Sequence, residues 1–233
     1  MLGVILEEIP YYSGQFEKRG SIGYVEQEPV IFCLSIKDNI LFGSEMFKTK
    51  YERVLRESCL INDLELFDEG DETMVGERGI TLSGGQKARL SLARALYADA
   101  DIYLFDDPIS AVDSKVAKEI YHNVIMEMKG KKTIVLVTHQ VSYLENCDRV
   151  LIMEDGEIVE NDSPENLAEE LRKFEVEKEE KKKKTSHMRM EEESEYETKE
   201  VLRKNSLKSS LKLKMKFSMM SEKEEKQVTH AYH

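Results

Sequence analysis

Ile102-Tyr103-Leu104-Phe105 is an unbroken apolar run closed by Asp106-Asp107, and it constrains the fold more than any other stretch of the chain. A strand buried on both faces reads this way, and such strands belong to parallel sheets covered by helices. Thr133 to Val137 repeats the pattern, and Ser21 to Val25 reads as a further strand with Gly20 and Gly23 as punctuation. Helical periodicity fills the intervals. The alternation predicts an α/β domain with a mainly parallel sheet. Ligands of such sheets sit outside the carboxyl ends of the strands, which places Asp106 and Asp107 at that edge.

Leu82-Ser83-Gly84-Gly85-Gln86 opens directly into a helical pattern with Ala88, Leu92, Ala95 and Leu96 on one stripe. Ser83 is a good N-cap, and two glycines without Cβ let an anion approach backbone N–H groups at the positive end of a helix dipole. For the tripeptide alone, an ordinary turn before an ordinary helix is the plainer reading. Elsewhere, residues 1–9 read as a helix stopped by Pro10, and Ser35 caps a helix through Ile36, Ile40 and Leu41. Tyr51 to Leu66 reads as one helix, and Ser114 caps another that runs to Met128 before Gly130. Arg149 to Glu154, Asp155-Gly156 and Glu157 to Glu160 spell a β-hairpin, and Ser163-Pro164 opens a last short helix.

Leu82 to Gln86 resembles the LSGGQ signature of ATP-binding cassette (ABC) ATPases, and Ile102 to Asp107 resembles their Walker B strand. Ser110-Ala111-Val112-Asp113 is similar to their D-loop, His139 stands at the switch histidine, and Gln27 in Tyr24-Val25-Glu26-Gln27 at the Q-loop glutamine. The resemblance covers roughly residues 1–170. Asp106-Asp107-Pro108, Ser110 to Asp113 and Asn39-Ile40-Leu41-Phe42-Gly43 resemble the first nucleotide-binding domain of the C subfamily, the multidrug-resistance-associated group. It implies an ABC-ATPase sheet with a helical subdomain, and ATP and Mg²⁺ as cofactors. Asp106 and Gln27 would serve the metal, as oxygen donors suited to Mg²⁺. Asp107 would take the place of the catalytic glutamate, one methylene shorter, at a weakly hydrolytic site. His139 would meet a γ-phosphate. Ser83, Gly84, Gly85, Gln86, Asp113 and Gln27 would contact nucleotide.

One departure is large: no G-x-x-x-x-G-K-[ST] phosphate loop, the Walker A motif, occurs in the 233 residues. A piece of a longer protein, N-terminally truncated after that motif, is the favoured explanation over a domain that lacks its own cradle. Without the phosphate-loop strand the sheet is expected to expose apolar edges.

The remaining composition bounds partners. A net charge of −12 argues against generic nucleic-acid binding. Cys33, Cys59 and Cys147 have no CxxC spacing, which favours a reduced compartment. No apolar run nears the ~18 residues of a membrane span and no signal peptide is visible, so membrane association would come through a partner or a missing segment. From Leu171 the chain turns Lys- and Glu-rich, so 171–233 is expected to be a disordered charged tail, with a basophilic-kinase-like site at Ser206.

Three functions compete. The first is the ATPase domain of an exporter on the cytoplasmic side of a membrane, pairing with a second nucleotide-binding domain and with transmembrane domains, and lending its signature to a composite ATP site. The second is a catalytically incompetent regulatory or interaction module. The third is a soluble ABC ATPase, against which the C-subfamily resemblance weighs.

Overall fold

The computed structural model describes residues 1–10, 13–76, 79–173 and 176. They form two compact units, Met1–Asn146 and the residues from Cys147 onward. The expectations for 177–233, Ser206 among them, lie outside the described residues.

The first unit is built on a parallel sheet in the order β1 (Ile22–Val25), β2 (Ile102–Asp106), β3 (Thr133–Val137). Ile22 faces Ile102, and Ile102 faces Thr133, so the three carboxyl ends lie along one edge. The crossover from β1 to β2 carries α1's successors: α2 (Ile36–Leu41), α3 (Lys48–Glu57), α4 (Ile61–Leu64) and α5 (Gly84–Ala98), α1 itself being Leu2–Ile5. The crossover from β2 to β3 carries α6 (Ser114–Ile120). This is the mixed α/β architecture with a parallel sheet that the apolar runs predict.

The core lies between the sheet and its helices. Tyr103 and Phe105 stack at 5.7 Å between ring centroids. Val25, Leu90, Leu92, Ala93 and Leu96 join them in one buried cluster. Gly23 permits that packing, because a Cβ there would stand 2.9 Å from the Tyr103 ring. Truncating a ring buried as Phe105 is costs about 3–5 kcal/mol. Among the described residues β3 pairs on one side only, and its residues run from half-buried to exposed, Val137 being exposed. An apolar edge is therefore present.

The helix read over residues 1–9 is only Leu2–Ile5, ended before Pro10 where Glu7 takes φ 61°, and three further expectations need correction. The helix expected over Tyr51 to Leu66 is two helices, broken where Cys59 adopts φ 58°. Ser58 Oγ donates back to the Val54 carbonyl at 2.8 Å, and the Leu60 amide to the Leu55 carbonyl at 3.0 Å. The left-handed turn delivers Leu60 into the core, a tertiary gain that overrides helical periodicity. At α6 the cap is Asp113 rather than Ser114: its Oδ1 accepts from the Lys115 and Val116 amides at 3.0 and 3.1 Å. That helix is α-helical only to Ile120 and continues as a wider π-helical stretch over Tyr121–Met126. Third, Ser163-Pro164 leads into a turn, and helix begins at 168.

In the second unit β4 (Val150–Glu154) and β5 (Glu157–Asp162) make the expected antiparallel hairpin. Asp155 and Gly156 both have positive φ, 47° and 86°, as a two-residue turn matched to strand twist requires.

Candidate functional site

The parallel register brings three sequence-predicted positions to one edge. Val25 faces Phe105 and Asp106 faces Val137, so Gln27, Asp106-Asp107 and His139 all follow the carboxyl ends of neighbouring strands. Gln27 is exposed in the bend after β1. Asp106 is half-buried, and its carboxylate adds to burial in raising the Tyr24 hydroxyl above the usual phenolic range.

Asp107 is the most constrained of the set. Its φ is 48°, a left-handed conformation that Asp tolerates better than most side chains. Its amide donates to the Val137 carbonyl of β3 at 2.9 Å, and Ser110 Oγ donates to its carbonyl at 2.9 Å. The side chain is 9% exposed and places Oδ2 2.8 Å from His139 Nδ1. Oδ1 is buried without a hydrogen-bond partner. A buried carboxylate oxygen left so is costly, and a donor arriving there, a water or a ligand, recovers the cost. His139 is 55% exposed, so this pair stands at an accessible surface.

The second cluster is the start of α5. Ser83 Oγ accepts from the Gln86 amide at 3.3 Å and Gln86 Oε1 accepts from the Ser83 amide at 2.9 Å, a reciprocal capping box. Gly84 and Gly85 are the first residues of a 15-residue helix, where amides have no intrahelical acceptor. The two glycines differ. Around Gly84 nothing lies within 4 Å of where a Cβ would stand. At Gly85 a Cβ would meet the Ala111 carbonyl oxygen at 3.2 Å and Arg89 Nη1 at 3.3 Å. Gly84 is thus the open face of the helix start, and Gly85 the face that seats on the loop Ser110 to Asp113. Asp113, expected on that loop, is exposed and spends its carboxylate on the α6 cap. The Val116 amide, first among its donors, holds its carboxyl below the usual range.

Sequence reasoning missed the supports. Asp63 of α4 takes a forked pair from Arg89, Nε to Oδ2 at 2.9 Å and Nη2 to Oδ1 at 2.8 Å, and also accepts from Gln86 Nε2 at 3.2 Å. Asn39, 0% exposed, bonds to Phe32, Ser35 and Arg94. A lone acid or amide inside an apolar helical face was the available signal in both cases.

Residues 5–110 match the sequence model of the ABC transporter family. The chain carries an ABC transporter domain. Over 160 residues it is 48% identical to ATP-binding cassette sub-family C member 4 of Mus musculus, a stretch covering 69% of this chain and 12% of that protein. It is 48% identical over 166 residues to ABC transporter C family member 5 of Arabidopsis thaliana, covering 71% of this chain and 11% of the relative. To the Homo sapiens sub-family C member 4 it is 45% identical over 160 residues, 69% of this chain and 12% of the relative. The chain therefore spans about a tenth of the length of the curated relatives it matches. These are C-subfamily proteins, as the resemblance of the Walker B and Asn39 to Gly43 stretches implies. Among the described residues of the ABC domain and beyond it, no helix is long and apolar enough to cross a membrane.

Proposed function

We propose that this ABC domain supplies the signature side of a composite ATP site in a C-subfamily exporter. The observation that carries the reading is the N-terminus of α5, capped by Ser83 and Gln86 and open at Gly84. Helix-start amides without intrahelical acceptors favour phosphate, and the missing Cβ lets it come close. In this reading the phosphate loop that faces them belongs to a second nucleotide-binding domain.

The strand-end cluster suits the domain's own nucleotide edge. Asp106 and Gln27 offer oxygen donors to Mg²⁺. An ion at this edge would be held by one or two protein oxygens together with nucleotide phosphates. Bound Mg²⁺ would neutralise phosphate charge. Asp107 would orient an attacking water through the unpartnered Oδ1 while His139 fixes Oδ2. With Asp in place of Glu the reach is short, and hydrolysis at this edge is slow.

Transmembrane domains are the other partners in this reading. Val30, Phe32, Leu34, Phe42, Met46 and Phe47 are all exposed apolar side chains following the Gln27 bend. The Arg94 guanidinium lies 4.9 Å from the Phe32 ring centroid and 5.4 Å from that of Phe42, which braces the two rings outward. An apolar surface of that kind marks a protein contact. It would hold residues 1–170 at the cytoplasmic side of a membrane, with 171–233 as a charged linker.

The test is binding of a fluorescent ATP analogue with Mg²⁺, to the purified chain alone and then mixed with a second nucleotide-binding domain that has a phosphate loop. Binding only in the mixture, lost in Ser83→Arg, is expected. Tight binding by the chain alone would refute the trans-acting role. No binding in either arrangement would favour an interaction module.

A further inference from the structure

The signature loop is not held by its own helix alone. Asp63 sits at the third position of α4, a four-residue helix that follows the Cys59 turn, and is 8% exposed. Its carboxylate receives both prongs of Arg89, whose side chain is 12% exposed, and Nε2 of Gln86. Gln86 is thereby committed at both ends: Oε1 accepts from the Ser83 amide and Nε2 donates to Asp63. Arg89 is committed likewise. Its third nitrogen, Nη1, stands 3.3 Å from the point a Gly85 Cβ would occupy, and its charge reaches Asp113 at the α6 cap.

Charge-assisted forked bonds of this kind fix orientation as well as energy. A half-removed buried pair costs far more than a surface one, because the remaining charge loses its partner. The positions are 23 and 26 residues apart in sequence, so the network ties α4 to the first two turns of α5. The Ser83–Gln86 box is local, made of residues three apart. What Asp63 adds is the angle at which that box, and Gly84 beside it, is presented.

We infer that Asp63 is a positioning residue for the signature loop: through Gln86 and Arg89 it sets where the Gly84 face points, and so how well that face receives the phosphates of a nucleotide held by another domain. It touches no nucleotide itself. The nucleotide part of the inference rests on the composite-site reading; the positioning part stands on the geometry.

Two measurements on the full chain separate them. Amide hydrogen exchange, resolved along the chain, is compared in wild type, Asp63→Asn and Arg89→Lys. Asn is isosteric but accepts through one oxygen only; Lys keeps the charge and loses the fork. Exchange should quicken at residues 83–87 while β2 and the interior of α5 stay protected. In the mixture with a phosphate-loop domain, both variants should bind the fluorescent ATP analogue roughly tenfold more weakly, the loss expected for one charge-assisted bond. Exchange that rises evenly over the whole domain would overturn the inference, since Asp63 would then be an ordinary stabilising ion pair. So would unchanged exchange at 83–87 in both variants, or wild-type affinity in both. If wild type itself fails to bind in the mixture, the composite-site reading falls, and the exchange pattern still decides whether Asp63 orients the loop. Should Asp63→Asn not fold, Arg89→Lys carries both measurements.

Discussion

Replacing Asn39 with Ala should destabilise the first unit severely. The side chain makes four hydrogen bonds: Oδ1 accepts from the Phe32 amide at 3.0 Å and Arg94 Nη2 at 2.9 Å, and Nδ2 donates to the Phe32 and Ser35 carbonyls at 2.9 and 3.0 Å. Three are neutral and one is to a guanidinium. At roughly 1 kcal/mol for each neutral bond and about 2 for the charged one, the loss is about 5 kcal/mol. Asn39 is 0% exposed, so water does not replace the missing partners, and the figure is not discounted for solvation. Domains are stable by only ~5–15 kcal/mol, so a third or more of the margin disappears. Urea unfolding followed by far-UV circular dichroism reads the change directly. With a slope of about 2 kcal/mol per molar, the midpoint should fall by about 2.5 M. Arg94 also donates Nε to the Asn39 carbonyl and Nη1 to that of Val30, so part of the segment stays anchored after truncation. A midpoint within about 0.5 M of wild type, under 1 kcal/mol at that slope, would refute the claim that Asn39 ties Phe32 to α5.

Other perturbations have sharper local readouts. His139→Ala removes the contact to Asp107 Oδ2 from a carboxylate whose Oδ1 is already unpartnered, and should destabilise the chain by about 1 kcal/mol in the same urea titration; an unchanged midpoint would show that water serves Asp107 equally well. Alkylation by iodoacetamide near neutral pH should modify exposed Cys33 well before Cys59, whose thiol is pushed up to about 11 by burial and by Glu119. Equal rates, read by mass spectrometry, would place Cys59 in solvent. Asp101 accepts from the Ser21 amide and hydroxyl at 2.8 and 2.9 Å, and the backbone bond, first among the causes, lowers its carboxyl below the ordinary 3.8. Because the folded value is the lower one, its stabilisation is present above pH 3.8 and drains away as pH falls through the folded value. Asp101→Asn should therefore flatten the acid side of the stability profile, and a profile identical to wild type would remove Asp101 from that role.

How far the molecule can be read from its residues depends on the range of the interaction concerned. The strand of Ile102 to Asp106, the Ser83 cap and the Asp155-Gly156 turn are decided within a few neighbours, and periodicity or turn chemistry exposes them. The edge that gathers Gln27, Asp107 and His139 follows once three strands are taken as parallel. The break at Cys59 does not follow, because nothing local forbids helix there; Leu60 is drawn off by a core assembled from distant segments. Asp63 and Asn39 stand out only as a lone acid and a lone amide on apolar helical faces, and what they bind is hidden for the same reason. Their partners Arg89 and Arg94 stand 26 and 55 residues further on, and a sequence pattern carries no signal at such distances. The π-helical stretch is invisible to a 3.6-residue period, which it interrupts.

That interruption makes chain length itself adjustable at one place. A π turn accommodates an additional residue without moving the helix on either side. Removing a single residue from Tyr121–Met126 would let the segment rewind as ordinary α-helix between the Asp113 cap and Gly130. Tyr121, whose hydroxyl donates to the Tyr143 carbonyl at 2.8 Å, pins the start of the stretch, so the slack lies after it. In a helix otherwise locked at both ends, a one-residue deletion there would be absorbed as a change of winding rather than as a shift of every contact that follows.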